Sequence, residues 1–326
     1  MLAWGVLGFA ISLAGTWLAR AYALRNALLD HPGERRSHQA ATPRGGGIAI
    51  VAAMLPLLAW LAWQPGTQAR AWMWIGLGLV AVAGIGWRDD HRHVPPPLRL
   101  AVHLLAAALL AHALVLLGAD LVQASAALVL AVVLVNVWNF MDGIDSLAAS
   151  QALVAAAAYA LFAGGGEVAL PGIVLAAACA GFLPFNLPRA RIFLGDVGSG
   201  SLGYLLATLA GLLLLETPWP RAPLLAFPLL VFGVDASLTL ARRIVRGERW
   251  WQAHVQHAYQ AWVRRGASHG RVAGAYLAAS LVAVSLMFIA SAYSFAVIIW
   301  VVGLSCAVAC MAWSRLQQGW TRAGRG

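Results

Sequence analysis

Eleven mostly apolar runs, broken only by short polar or glycine- and proline-bearing connections, fill this chain of 326 residues. They lie near 2–24, 45–63, 71–87, 100–117, 122–138, 147–163, 168–185, 199–215, 222–241, 272–290 and 294–313. An α-helix needs about 20 apolar residues, with a range of about 17 to 25, to cross a bilayer. In lipid each backbone polar group must be satisfied within its own segment, so these runs are expected as helices. Composition agrees: 61% of residues are apolar and 10% charged, against about 25% charged in soluble domains. The expected fold is an all-α polytopic membrane bundle of about eleven helices (10–11), one integral domain over 1–326. Breaks such as Gln64-Pro65-Gly66 and Gly164-Gly165-Gly166 separate the runs. No basic residue precedes the first run and no small-residue cleavage pattern follows it, so it is read as a retained span.

Charge then orients the bundle. All 22 basic residues are arginine, which reads as a coding bias, so arginine by itself is no evidence of phosphate recognition. Their distribution is informative. Arg20, Arg25, Arg35, Arg36, Arg44, Arg88, Arg92, Arg99, Arg189 and Arg191 fall on one set of connections. Arg242, Arg243, Arg246, Arg249, Arg264, Arg265, Arg271, Arg315, Arg322 and Arg325 continue it, leaving only Arg70 and Arg221 on the other face. Basic loops stay in the cytoplasm, which places the N-terminus outside and the C-terminus inside. The net charge of +10 is therefore a topology signal, and nucleic acid is not expected as a partner. Cys179, Cys306 and Cys310 sit in apolar runs and read as packed thiols without a disulfide framework.

Most acids gather at span ends on the arginine-rich side, where desolvation is costly without a partner or a purpose. Asp89-Asp90 closes the third run and is followed by His91, Arg92, His93 and Arg99. The helix macrodipole disfavours carboxylates at a C-terminus, so the pair suggests metal binding or acid–base work over a polar cap. Asn136, Asn139, Asp142 and Asp145 recur at three-residue steps and would line one polar strip on a helix, with Gly143 as a break. A helix end with Asp145 as the next N-cap explains only one of the four. In Asn186 to Gly200, glycines entering the eighth run could bring backbone N–H groups to an anion. Asp196 inside such a site calls for a bridging cation; a tight turn with an N-cap accounts for the pattern equally well. Trp251, Val255, Ala258 and Trp262 form an apolar stripe in the long cytoplasmic loop 242–271. An interfacial helix is expected there, with His254 and His257 on its edge. Two histidines alone are weak for zinc. Asp235, within the ninth run, is either an ion-pair partner or a site residue, with the site favoured.

Together these segments resemble the polyprenyl-phosphate N-acetylhexosamine-1-phosphate transferase superfamily, of the glycosyltransferase family 4 type. The resemblance runs from Arg35-Arg36-Ser37-His38 and Thr42-Pro43-Arg44-Gly45-Gly46-Gly47 to the histidine loop. It rests on Asp89-Asp90, Asn139-Phe140-Met141-Asp142-Gly143-Ile144-Asp145, the Asn186 to Asp196 segment and His254-x-x-His257. It implies transfer of a sugar 1-phosphate from a UDP-sugar to undecaprenyl phosphate, releasing UMP and needing Mg²⁺, with Mn²⁺ as the alternative. It makes Asp196, with Asn139, the metal site, and Asp89, Asp90 and Asp142 the catalytic acids. Arg44, Arg99, Asn139, Asp145, Asn186, Arg191, His254 and His257 become substrate-binding residues, Arg99 standing where many relatives have lysine. The peptidoglycan branch typically carries three consecutive histidines. His254-Val255-Gln256-His257 places the chain nearer the O-antigen-initiating branch. The implied location is the bacterial cytoplasmic membrane, with the site facing the cytoplasm among membrane lipids; pairing into a homodimer stays open.

The rival readings are a transporter and a non-catalytic scaffold. Transporters place polar groups near the midplane between repeats, whereas these acids cluster at span ends and no repeat is visible.

Overall fold

The computed structural model describes residues 1–30, 41–66, 68–166, 168–249 and 254–323. Glu34 to His38, Glu167, Trp250, Trp251 and Arg325 lie outside the described residues. The fold is helical, as expected: α1 (Leu2–Arg25), α2 (Ile48–Trp63), α3 (Ala69–His91), α4 (Pro96–Leu116), α5 (Leu121–Phe140), α6 (Leu147–Phe162), α7 (Ala169–Asn186) and α8 (Gly195–Glu216). A 3₁₀ segment, Trp219–Leu229, runs into α9 (Leu230–Val245), followed by short α10 (Ala258–Arg264), α11 (His269–Ala290) and α12 (Phe295–Ala323). A two-residue hairpin pairs β1 (Leu29–Asp30) with β2 (Thr42–Pro43). Among the described residues nine helices are long and apolar enough to cross a membrane, while α2 and α6 are shorter apolar helices.

Helix α8 forms the centre. Most of it is buried, and it packs against α5 and α3. Small residues permit this approach: a side chain at Gly203 would overlap the Leu134 carbonyl of α5, and one at Gly198 would meet Gly47. Of the glycines in the Asn186 to Gly200 segment, Gly198 packs against Gly47 and Gly200 against Val82, so both serve helix packing. By contrast, little of α12 is fully buried along its apolar length, and Leu304, Val308 and Met311 face outward as lipid-facing residues do.

Helix alternation sets the site's position. The C-terminal ends of α3, α5 and α7 and the N-terminal ends of α2, α4, α8 and α11 come together at one end of the bundle. The tail of α12 reaches the same end, where Gln317 Nε2 donates to the Gln256 carbonyl at 2.7 Å.

Two local expectations are corrected. The strip Asn136–Asn139–Asp142–Asp145 is not one helix face: α5 stops at Phe140 and residues 141–146 form a turn. Asn136 donates to the Val132 carbonyl of its own helix, 2.7 Å away. The interfacial helix of loop 242–271 is also displaced. Helix α9 runs on to Val245, residues 254–256 are non-helical, and the helix begins only at Ala258. The reason is Asp235, whose carboxylate takes the N–H groups of Ala258 (2.8 Å) and Tyr259 (3.4 Å) and so starts α10 there. The first turn of α10 is buried in the bundle, not laid on a lipid surface.

Candidate active site

A cavity of about 480 Å³ opens at this end of the bundle. Its lining includes Arg44, Asp90, Asn139, Asp142, Asp145, Asn186, Asp196 and His254, all singled out from sequence. Their positions span residues 44 to 254, so tertiary folding alone brings them together.

Asp90 is tightly engaged. Its two carboxylate oxygens accept the N–H groups of Asp196 (3.0 Å) and Val197 (3.1 Å), the first turn of α8. Arg44 Nε stands 4.0 Å from the same carboxylate, and Arg44 also donates to the Asp90 carbonyl. A helix N-terminus does hold an anion here, but that anion is a side chain of the protein itself. Gly195, at φ +75°, makes this possible: a Cβ would come within 2.6 Å of the Asp90 carboxylate.

Asp89 lies beside the cavity. It accepts from Val94 N–H at 2.6 Å and pairs with Arg99 at 2.5 Å. Arg99 lies 3.6 Å from Asp196 as well, so it bridges the two acids. Asn139 donates to Asp196 at 2.5 Å and lies 3.2 Å from the Ser199 hydroxyl, which leaves its amide oxygen free of that contact. Asp145 accepts from Ala190 N–H at 3.2 Å and lies 3.3 Å from His269 Nδ1.

Asp142 differs from all of these. Among the described residues no donor or cation faces its carboxylate. Burial, then the charges of Asp196, Asp90 and Asp145, push its pKa well above the usual carboxylate range. An acid that lines the cavity and is opposed by three other acids marks a deficit of positive charge.

Other expected residues serve as supports. Asn186 accepts from Ser146 N–H at 2.9 Å and donates to the Ile192 carbonyl at 3.0 Å, tying the 141–146 turn to the segment before α8. Arg191 turns away: it donates to the Pro184 carbonyl at 2.6 Å, lies over Phe185 and does not line the cavity. His257 is buried behind His254, their rings 4.8 Å apart, with Nδ1 3.7 Å from Asp235. Asp235 also sits under the histidine segment and not in the cavity. For His254, burial and then His257 and Arg243 lower the pKa to about 4, so at neutral pH it offers hydrogen bonds and no charge.

Sequence reasoning missed His269 and Gln260, both in the cavity wall. His269 follows Ser268, which caps α11 by accepting from Arg271 N–H, and a histidine opening a span on the arginine-rich side was an available signal.

Among the described residues no three acidic, histidine or cysteine side chains converge closely enough to hold a metal alone. The donors present are nonetheless those a magnesium ion takes when one or two carboxylates and substrate phosphates share it. Asp142 is unengaged, Asp196 is oriented by Asn139, and the surrounding charge is negative. The residues fit such an ion.

The family model described as glycosyl transferase family 4 matches residues 72–213. Decaprenyl-phosphate N-acetylglucosaminephosphotransferase of Mycobacterium tuberculosis is 32% identical over 311 residues, covering 82% of this chain and 77% of that protein. Probable undecaprenyl-phosphate N-acetylglucosaminyl 1-phosphate transferase of Bacillus subtilis is 26% identical over 286 residues, with 81% and 78% covered. Phospho-N-acetylmuramoyl-pentapeptide-transferase of Moorella thermoacetica is 40% identical over 144 residues, with 43% and 36% covered.

Proposed function

The chain belongs to the polyprenyl-phosphate N-acetylhexosamine-1-phosphate transferases of glycosyl transferase family 4, and on that premise we propose its substrates and chemistry. The donor is a UDP-activated N-acetylated hexosamine or its 6-deoxy derivative, and the acceptor is undecaprenyl phosphate. The products are undecaprenyl-diphosphate-sugar and UMP, the first step of an O-antigen-like surface polysaccharide. The site faces the cytoplasm from the inner membrane, in keeping with the arginines gathered at that end. The observation that carries this reading is the convergence of Asp90, Asn139, Asp142, Asp145 and Asp196 with Arg44 on one cavity at a single end of a membrane bundle.

The chemistry follows from charge. An oxygen of the lipid phosphate attacks the phosphorus that bears the sugar, and the bond from that phosphorus to UMP breaks. Both reactants are anions, and the leaving group gains charge. Asp142 and Asp196, with Asn139 orienting Asp196, would hold Mg²⁺ or Mn²⁺. When bound, the ion supplies positive charge between the reacting phosphates and on the leaving UMP. Arg44 lines the cavity half-buried and attracts the donor diphosphate. Arg99, shared between Asp89 and Asp196, holds these two carboxyl groups together beside the cavity. Neutral His254 and Gln260, also in the cavity wall, would hydrogen-bond the sugar or diphosphate. The sequence His254-Val255-Gln256-His257 supports the O-antigen-like assignment.

The test is purified protein in nanodiscs with undecaprenyl phosphate and a panel of UDP-GlcNAc, UDP-GalNAc, UDP-QuiNAc and UDP-FucNAc. UMP release and the mass of the lipid product identify the donor. Failure of every donor to give UMP would refute the proposal.

A further inference from the structure

A single hydroxyl brackets the turn that carries Asp142. Helix α5 ends at Phe140, and the chain then passes through Met141, Asp142 and Gly143 without regular structure. Tyr259, wholly buried in the first turn of α10, donates its hydroxyl to the Phe140 carbonyl at 3.0 Å. The same oxygen faces the backbone N–H of Gly143. A Cβ at Gly143 would overlap that hydroxyl, so glycine leaves the space in which it sits. One phenol thus hydrogen-bonds the backbone ahead of Asp142 and packs against the backbone after it, while the Asp142 carboxylate has no tether of its own among the described residues.

Tyr259 is fixed in turn from below. Asp235, 3% exposed, accepts the N–H groups of Ala258 and Tyr259, the Tyr276 hydroxyl of α11 at 2.7 Å and the Thr239 hydroxyl at 3.2 Å. The Tyr259 ring stacks on His257, and His257 stacks on Phe140. A buried carboxylate satisfied by four donors is a rigid anchor. Burial, with the Asp235 and Asp142 charges near it, also keeps the Tyr259 phenol well above the usual tyrosine range, so it stays a donor.

We propose that Tyr259 is a positioning residue that sets where the Asp142 carboxylate stands in the cavity, and that Asp235 is the anchor that sets Tyr259. Neither lines the cavity, and neither touches substrate. The importance of Asp142 to catalysis rests on the proposed function; the placement of the turn does not.

Tyr259→Phe removes the hydroxyl and keeps the stacked ring. Two readouts on the full chain in nanodiscs separate the questions. Amide hydrogen exchange across 141–146 should rise about tenfold while the body of α5 and α8 stays protected, because only the local tether is lost. The kcat for UMP release should fall about tenfold with KM for the donor within about twofold of wild type, the pattern of a misplaced reacting group. Gly143→Ala, which displaces the hydroxyl from the other side, should give the same rise, and the double variant no more than either alone. Wild-type exchange at 141–146 in Tyr259→Phe overturns the proposal, as does a double variant whose effects simply add. If wild type released no UMP with any donor, the proposed function would fall, and the exchange measurement would still decide this one. Should Tyr259→Phe not fold, Gly143→Ala and Tyr276→Phe carry the same exchange test.

Discussion

Gly86 is the point where α3 presses hardest on the site. A Cβ there would lie 2.5 Å from the Asp196 carbonyl oxygen and 2.7 Å from the Val197 Cα. Ordinary contact begins near 3.4 Å, so in Gly86→Ala the two backbones must part by about 0.9 Å. One turn further along α3 is Asp90, whose bonds to the Asp196 and Val197 N–H groups measure 3.0 and 3.1 Å. The same retreat stretches both towards about 4 Å, beyond hydrogen-bond range. Overpacking costs about 1–3 kcal/mol, and each buried group left without its partner about 1–3 kcal/mol more. Relaxation shares these terms, and a net loss of about 3 kcal/mol is expected. Activity suffers further, since misplacing a reacting group by about 1 Å costs roughly 10²-fold in rate. Gly84→Ala is the control: nothing lies within 4 Å of its Cβ, and alanine favours a helix by about 0.5–1 kcal/mol. Melting in detergent and UMP release would be measured on both. Gly86→Ala should melt several degrees lower and lose about a hundredfold in turnover, while Gly84→Ala matches or exceeds wild type. Wild-type melting and turnover in Gly86→Ala would refute the close-packing account of how α3 positions α8.

Three further outcomes are expected. Asp142→Asn replaces an acid whose ionisation is opposed by desolvation and by Asp196, Asp90 and Asp145; UMP release should vanish while melting holds or rises by the equivalent of about 1 kcal/mol, and a lower melting temperature would show that the carboxylate has a stabilising partner. His254 has a folded pKa of about 4 against an ordinary 6.5. Between those values the unfolded chain binds the proton and the folded one does not, so stability falls as pH drops from about 6.5 to 4. His254→Gln should flatten that part of the melting-versus-pH curve, and an unchanged slope would count against a buried neutral ring. Chelation with EDTA should stop UMP release, and added Mg²⁺ or Mn²⁺ should restore it; full turnover in EDTA would exclude the proposed divalent ion.

The apolar runs placed the helices well because lipid leaves a backbone so little choice. Their ends were read less well, since contacts distant in sequence decide them. Helix α8 begins at Gly195, four residues ahead of the apolar run, because Asp90 satisfies its first N–H groups across 106 positions. Helix α10 starts at Ala258 because Asp235 does the same across 23. The pairing of Asp145 with His269 spans 124 positions and leaves no periodic trace. Residue type singled out the acids, but not which of them folding would tie up. Asp90 and Asp142 looked alike as span-end carboxylates; one has both oxygens filled, and the other faces the cavity unengaged.

That difference narrows where two anionic substrates can meet. The N-terminal turn of α8 would ordinarily attract a phosphate, yet Asp90 already occupies its N–H groups. Arg99 is spent between Asp89 and Asp196, and Arg191 has turned back to its own helix end. Among the described residues this leaves Arg44 as the one arginine in the cavity wall, itself beside Asp90. On the proposed function, a diphosphate and a lipid phosphate would enter a space where, among the described residues, carboxylates outnumber fixed cations, and a mobile cation would offset the repulsion. The open carboxylate of Asp142, which shares the cavity with Asp196, is where the proposed cation would do most, because there it would relieve the crowding of the protein's own acids as well as that of the substrates. The crowding of acids that raises the Asp142 pKa is, on the proposed function, what would favour a donor that arrives with its metal.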